Sequence, residues 1–275
     1  MLRLFPAPAP REFSGERAFT HVTAQIEFGP RITGSPANLA AGDYIAEQLR
    51  NAGWVVEFQS FVYHDTSIRN IVGKANAGKG PVIIGGAHYD SRRRADRDPT
   101  RPADPVPGAN DGASGAAVLL ELARTLDLES VPNELWLAFF DAEDNGGLDG
   151  WDWIVGSTHM ANQLTIQPEA MILVDMVGDA DQQFYFDSNS DPNLSAQVWA
   201  TAARLGYEEY FIPRPRWAML DDHIPFARRG IPALDIIDFD YPYWHTTADT
   251  ADKVSAESLE RVGRVLKAFL ESAER

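Results

Sequence analysis

Leu135-Trp136-Leu137-Ala138-Phe139-Phe140-Asp141-Ala142-Glu143-Asp144-Asn145-Gly146-Gly147 is the stretch whose reading decides the fold. It opens with an unbroken apolar run rich in aromatics, and such a run reads as a central strand buried on both faces. The strand stops where acids and glycines begin, so the acids stand at its C-terminal end. In open α/β sheets that edge is where ligand crevices form. Adjacent side chains diverge there, which lets one of Glu143 and Asp144 hold a metal while the other faces substrate. A polar loop capping the next helix would carry the same acids, so the decision falls to the residues that accompany them.

The whole chain sets bounds on the answer. Its 275 residues are 44% hydrophobic, which is enough for a large core, and nothing resembles a linker. One domain over residues 1–275 is expected, with the proline-rich residues 1–17 as an extended arm. There is no cysteine, which excludes disulfide scaffolds, thiol nucleophiles and cysteine-ligated zinc. Any metal must then use His, Asp or Glu. A net charge of −16 repels phosphates, so neither nucleic acid nor an anionic membrane surface is an expected partner. No apolar run reaches the roughly 18 to 20 residues that span a bilayer, and residues 1–13 lack a signal-peptide core before their prolines. The expectation is a soluble chain, cytoplasmic unless an export segment has been removed. Oligomeric state is not legible.

Upstream of the central strand, residues 18–26 and 38–52 have helical apolar spacing, and residues 54–63 and 67–74 read as strands. The run at 81–86 is a further buried strand, and it ends at Ala87-His88-Tyr89-Asp90. On an extended chain His88 and Asp90 point the same way. A metal-bound imidazole needs a carboxylate or carbonyl on its other nitrogen, and Asp90 can supply it; a hydrogen-bonded structural histidine would look the same. Gly108-Ala109-Asn110-Asp111-Gly112 then leads into a helix over 116–126, which makes Asp111 either a helix cap or a ligand held at a helix N-terminus.

Downstream, Trp151, Trp153 and Ile154 fall in a loop and helix beside the crevice, where aromatics serve either packing or a substrate wall. The strand at 170–177 carries Asp175 inside an apolar run, a position that is costly unless the carboxylate is paired or metal-bound. Residues 183–186 read as a strand and 194–205 as a helix, a last core strand runs through Ile237, and residues 255–274 close the chain with an amphipathic helix. Strands alternating with helices predict a three-layer αβα sandwich with a mixed, largely parallel sheet. His88, Asp111, Asp144, Asp175 and His245 all fall at or beyond strand ends or in adjoining loops. Two imidazoles and three carboxylates suit zinc, with manganese or cobalt as alternatives, and one bridging carboxylate would let two ions use all five.

In this order, from His88-Tyr89-Asp90 through Asn110-Asp111 and Glu143-Asp144 to Asp175 and His245-Thr246, the sequence resembles the M28 metallopeptidase superfamily, from about residue 29 to the C-terminus. The resemblance implies a zinc-exopeptidase-like sandwich in which Asp111 binds or bridges zinc, His88, Asp144, Asp175 and His245 supply the other ligands, and Glu143 is the general base. Asp144 stands where the family more often has glutamate, one methylene longer.

Two branches of that family compete. The segment Asp221-Asp222-His223-Ile224-Pro225-Phe226-Ala227-Arg228-Arg229-Gly230-Ile231-Pro232, with Trp244 directly before His245, is similar to animal-type glutaminyl cyclases. That resemblance implies one zinc on Asp111, Asp144 and His245, with Glu143, Asp175 and Asp222 handling protons and Trp244 lining the substrate pocket. Thr247-Ala248-Asp249-Thr250-Ala251-Asp252-Lys253-Val254 instead resembles the aminopeptidases, which implies a second ion held by His88 and Asp175. Either way the implied substrates are peptide or protein N-termini. A non-catalytic binding protein on this scaffold is the remaining reading, and the presence of Glu143 weighs against it.

Overall fold

The computed structural model describes residues 12–272. At its centre lies strand β4 (Glu134–Phe140), flanked by β2 (Thr66–Ala75) and β3 (Val82–His88). Beyond β2 lies β1 (Val55–Tyr63), and beyond β3 lie β5 (Ala170–Asp175) and β8 (Ala233–Ile237), giving a six-stranded sheet of order β1-β2-β4-β3-β5-β8. The β1-β2 and β2-β4 pairs are antiparallel and the other three parallel. A mixed, largely parallel sheet covered on both faces is thus what the chain builds, as expected.

The two faces can be read from β4 itself. Its side chains alternate, with Leu135, Leu137 and Phe139 packing into one core and Trp136, Ala138 and Phe140 into the other. The first core is closed by α1 (Gly15–Glu27), α2 (Pro36–Asn51), α3 (Ala113–Thr125), α5 (Pro192–Arg204) and α7 (Ala256–Glu271). The second is closed by α4 (Val155–Gln163) and the short α6 (Ile224–Ala227). Phe139 and Phe140 are wholly buried, and truncating either to alanine would cost about 3–5 kcal/mol.

Helix starts follow local chemistry. Ser14, Ser35, Asp191 and Ser255 cap α1, α2, α5 and α7 through their side chains, with Pro36 and Pro192 in the first turns of α2 and α5. Helix α3 has no side-chain cap; the residue before its first turn is Gly112, whose φ of 97° only glycine adopts readily. A Cβ at Gly115 would lie 2.1 Å from the Val174 carbonyl oxygen, so glycine there lets α3 rest directly on β5.

Two boundaries depart from the sequence reading. Residues 15–17 belong to α1, so the expected arm cannot run through residue 17; residues 1–11 lie outside the described part. A second sheet pairs β6 (Phe184–Asp187) in parallel with β7 (Phe211–Trp217), and β7 had no counterpart in the sequence pattern. Pro213 and Pro215 interrupt it, which a strand tolerates only where ladder bonds on one side are dispensable. Among the described residues, no helix is long and apolar enough to cross a membrane.

Candidate metal centre and active site

The parallel strands β3, β4 and β5 end at the same edge, and each delivers acid or imidazole there. His88 closes β3, Asp175 closes β5, and Glu143 and Asp144 follow β4 in a tight turn. Asp90 holds that turn: its two carboxylate oxygens accept the Glu143 and Asp144 backbone N–H groups at 3.1 and 3.2 Å. The same carboxylate lies 3.5 Å from His88 Nδ1. Asp90 therefore fixes the β4 turn and sets its charge beside the imidazole, whose Nδ1 has no hydrogen-bond partner.

Asp111 stands between two triads. With His88 and Asp175 it forms one group of converging ligand atoms, and with Asp144 and His245 a second, each spanning no more than 4.8 Å. His88 Nε2 lies 3.2 Å from Asp111 Oδ1 and 3.1 Å from Asp175 Oδ1. His245 Nε2 lies 3.0 Å from Asp144 Oδ1 and 3.7 Å from Asp111 Oδ2. All five residues are buried, yet Asp111 Oδ2 and Asp144 Oδ2 have no hydrogen-bond partner. Buried carboxylate oxygens left open toward imidazole nitrogens are costly unless a cation joins them, and the N and O donor set fits a borderline divalent ion such as zinc.

Supports behind the triads fix their geometry. Asp249 accepts the Asn110 and Asp111 backbone N–H groups at 2.9 and 3.1 Å and is itself held by the Tyr241 hydroxyl at 2.7 Å. Fully buried Arg31 donates to the carbonyls of Tyr89, Pro107 and Gly108, at 2.9, 2.9 and 2.6 Å, bracing the loop before Asp111 against the end of β3. On the other triad, Asp96 lies 3.5 Å from His245 Nδ1 and pairs with Arg92, which also reaches Asp144 at 3.3 Å. Three non-glycine residues here have left-handed backbones: Ala142 (φ 58°), Met176 (φ 44°) and His245 (φ 57°). Such strain persists only where surrounding structure over-determines it, and it clusters at functional sites.

Without a cation, the electrostatics are those of acids crowded in low dielectric. Burial pushes the Glu143 carboxyl well above the usual carboxylate range; His88 opposes this, while Asp144, Asp221 and Asp222 reinforce it. Burial would lower His88, but the charge of Asp175 and contacts with Asp111, Asp175 and Asp90 override it and raise that imidazole well above its ordinary value. Asp111 is held below the usual range because His88, His245 and Arg92 outweigh its burial.

A cavity of about 210 Å³ opens over the triads; Glu143 and Asp221 line it beside the triad acids Asp111, Asp144 and Asp175, with Trp153, Phe239 and Trp244 as aromatic walls. Trp244 lies against the His245 ring at 3.8 Å and meets Phe239 at 4.9 Å. The acid bordering this cavity from the Asp221-Asp222 pair is Asp221. Asp222, which the sequence reading had placed among the proton-handling residues, is fully buried away from it, and neither of its carboxylate oxygens has a partner. Consecutive residues in a turn point apart, and the sequence offered no phase for choosing between them.

Other expectations divide. Trp151 packs against Tyr63 at 5.4 Å, while Trp153 stacks over His245 at 6.0 Å and carries the Arg92 guanidinium at 4.8 Å, so one tryptophan is core and the other is wall. The Tyr241 hydroxyl donates to Asp249, and Tyr243 borders a separate surface cavity. Arg31, Asp96 and Phe239 went unsingled by sequence reading. An arginine directly after Gly29-Pro30 has no pattern that separates a buried brace from a surface charge.

This geometry can be set beside known proteins. The model of peptidase family M28 matches residues 70–270. Glutaminyl-peptide cyclotransferase of Bos taurus is 29% identical over 289 residues, covering 87% of this chain and 77% of that protein. Among solved structures, glutaminyl cyclase of Porphyromonas gingivalis superposes with a TM-score of 0.89 at 35% identity, covering 94% of this chain and 98% of that one. A Zn-dependent exopeptidase from Parabacteroides distasonis gives 0.90 at 31%, covering 96% and 100%. The match takes in β3 to α7, and with them every residue of the two triads, so the chain belongs to peptidase family M28.

Proposed function

We propose that the protein is a zinc-dependent glutaminyl-peptide cyclotransferase, converting an N-terminal glutamine of a peptide or protein to pyroglutamate with release of ammonia. The observation that carries the reading is that Glu143 and Asp221 line one small, aromatic-walled cavity directly over the Asp111-Asp144-His245 triad. The Bos taurus and Porphyromonas gingivalis relatives, both named for this reaction, support it, and the exopeptidase named as Zn-dependent supports the choice of metal.

Asp111, Asp144 and His245 would hold the zinc, which when bound supplies a Lewis acid to polarise the glutamine side-chain carbonyl. Glu143 takes a proton from the α-amine as its nitrogen bonds to the side-chain carbonyl carbon. The same carboxyl returns that proton to the side-chain nitrogen as its bond to carbon breaks and ammonia leaves. Asp221, raised to about 7 by burial and by the charge of Asp175, can hold or accept a proton beside Glu143, and with Asp175 it orients the amine. Trp244, Phe239 and Trp153 exclude water, which would otherwise compete with the amine as nucleophile. The proton-handling role first given to Asp222 passes to Asp221.

A second reading has an observation of its own. The triad of His88, Asp111 and Asp175 is as compact as the other, and an M28 aminopeptidase holding two ions would fill both. One experiment separates them: ammonia and pyroglutamate from a Gln-initiated peptide are followed beside free amino acids from Gln-, Leu- and Ala-initiated peptides, with zinc content measured on the same sample. Cyclisation without residue release, abolished by Glu143→Gln, is the expected result. Released amino acids with about two zinc ions per chain would overturn it.

A further inference from the structure

The loop between β3 and α3 carries five arginines, Arg92, Arg93, Arg94, Arg97 and Arg101. Four of them meet a carboxylate: Arg92 pairs with Asp96 at 2.7 Å, Arg94 with Asp149 at 2.7 Å, Arg93 with Asp149 at 3.6 Å and Arg101 with Asp104 at 4.0 Å. Arg97 has no ion pair among the described residues. It is exposed, and its guanidinium lies 4.8 Å over the ring of Trp244, an aromatic wall of the cavity above the triads. We infer that Arg97 is a specificity determinant, receiving an acidic side chain on the residue that follows the N-terminal one of a peptide substrate.

Three observations carry this. First, the loop holds Arg97 at a fixed place relative to the triads. Its backbone N–H donates to the His245 carbonyl at 3.2 Å. On one side of it, Asp96 accepts two bonds from Arg92, at 2.7 and 2.9 Å. On the other, Asp98 accepts the Thr247 backbone N–H at 3.0 Å and those of Thr100 and Arg101, each at 2.9 Å. Second, those bonds engage both neighbouring carboxylates, and neither pairs with the Arg97 guanidinium. An aromatic face takes up no N–H donor, so the planar fork stays open to a carboxylate from outside. Third, the charge stands against its setting. The chain has a net charge of −16, and the cavity is lined by Asp111, Glu143, Asp144, Asp175 and Asp221, so the protein at large offers an acidic peptide no attraction. Salt limits the reach of each surface charge to about 8 Å under physiological conditions. A side chain leaving the cavity along Trp244 therefore meets Arg97 as a local, unpaired cation.

The inference rests on the reading that the centre takes peptide N-termini, but not on which bond is broken there. The test compares Gln-Glu-Ala-amide with the isosteric Gln-Gln-Ala-amide on the zinc-loaded enzyme, in the natural sequence and in Arg97→Gln, Arg97→Lys and Arg97→Glu variants. The natural enzyme is expected to favour the glutamate peptide about three- to fivefold in kcat/KM, through KM rather than kcat, as suits an exposed ion pair. Arg97→Gln should bring the ratio near one, Arg97→Lys should keep about a twofold preference, and Arg97→Glu should invert it. Raising the salt from about 0.05 to about 0.5 M should shrink the ratio in the natural sequence and leave it flat in Arg97→Gln. If the enzyme releases the first residue instead of cyclising it, the same ratios read from release still support Arg97 while the cyclase reading falls. A second measurement is independent of turnover: zinc-loaded Glu143→Gln protein should bind the glutamate peptide about three- to fivefold more tightly by calorimetry. A role confined to covering Trp244 would shift both peptides' constants together and leave the ratio unmoved by Arg97→Gln. That outcome, or equal constants for the two peptides in the natural sequence, would overturn the inference.

Discussion

Two buried clusters of carboxylates meet behind the cavity, and they solve the same electrostatic problem in different ways. Around Asp111, acids alternate with imidazoles so that ligand atoms converge in two triads. Behind Asp221, the chain buries Asp222, Asp235, His223 and Asp187 with almost no solvent contact. There His223 Nε2 lies 3.2 Å from Asp187, but its Nδ1 is 3.9 Å from Asp235, beyond hydrogen-bond reach. The carboxyl oxygens of Asp222 and Asp235 have no partners. Burial, with the charge of Asp221 next, pushes both well above the usual carboxylate range. Convergent atoms can be neutralised together by one cation, whereas divergent ones are neutralised one at a time by protons. The first cluster is therefore suited to a metal and the second to holding carboxyls in their neutral form.

The largest effects should come from breaking the first cluster. Asp111→Asn removes the carboxylate common to both triads, and it should lower zinc affinity beyond the about 10- to 100-fold expected for loss of a supporting group such as Asp96. Titration with a competing chelator would measure both, and equal losses for Asp111→Asn and Asp96→Ala would contradict the central place given to Asp111. Glu143→Gln should leave zinc affinity near the natural value and lower kcat by about 10²- to 10⁴-fold. A comparable loss of metal would make Glu143 a ligand rather than a base.

The boundary between the clusters is the Asp221-Asp222 pair. Asp221→Asn should cost about 10²-fold in kcat, because its carboxyl borders the cavity. Asp222→Asn should change kcat by less than about threefold and stability by less than about 1 kcal/mol, since an amide replaces a carboxyl that is already neutral. Steady-state kinetics beside denaturant unfolding would settle the order, and a reversal would restore the role the sequence reading gave to Asp222.

How far the sequence could be read follows from the same distinction. The apolar run of β4 announced its own burial, and five acids and imidazoles at strand ends or in adjoining loops announced where ligands could meet. Those signals are local, because a strand end is a property of a few consecutive residues. What escaped was set by neighbours distant in sequence. Arg31 is a brace only because β3 and the loop at 107–108 come to it. Trp153 is a wall and Trp151 a core residue through contacts with Arg92 and Tyr63. The strand β7 escaped because its prolines argue against a strand wherever both edges are paired.

A braced loop offers a smaller test of how the first cluster is held. Arg31→Lys keeps a charge but cannot reproduce three donations from one planar group. Burial lowers the Arg31 pKa to about 10 against the pull of Asp249, Asp90 and Asp111, so a lysine there would be still less willing to stay charged. The expected result is a loss of about 2–4 kcal/mol in unfolding free energy together with weaker zinc binding. Stability lost with zinc affinity intact would mean that the brace supports the fold and not the triads.

The smallest effect is a pH dependence, and its sign separates the two clusters. In the second, the folded-state pKa values of Asp222 and Asp235 lie above those of the unfolded chain, as does that of Asp221 beside them, near 7 against an ordinary 3.8, while Asp187 alone is held lower because His223 and the Met219 N–H outweigh its burial. The native state therefore binds more protons than the unfolded one across that window. Its stabilising contribution is fully present below about pH 4 and is lost as pH rises through about 7, on the order of 1 kcal/mol per pH unit for each group still titrating. Asp235→Asn fixes one member of the cluster in a neutral form, so it should flatten this slope. Metal-free samples of both proteins, unfolded in urea from pH 5 to 8, would show the two curves diverging toward high pH, with the variant the more stable at pH 8. Parallel curves would mean that Asp235 is charged in the native state, and the contrast between a cluster built for a cation and one built for protons would fail.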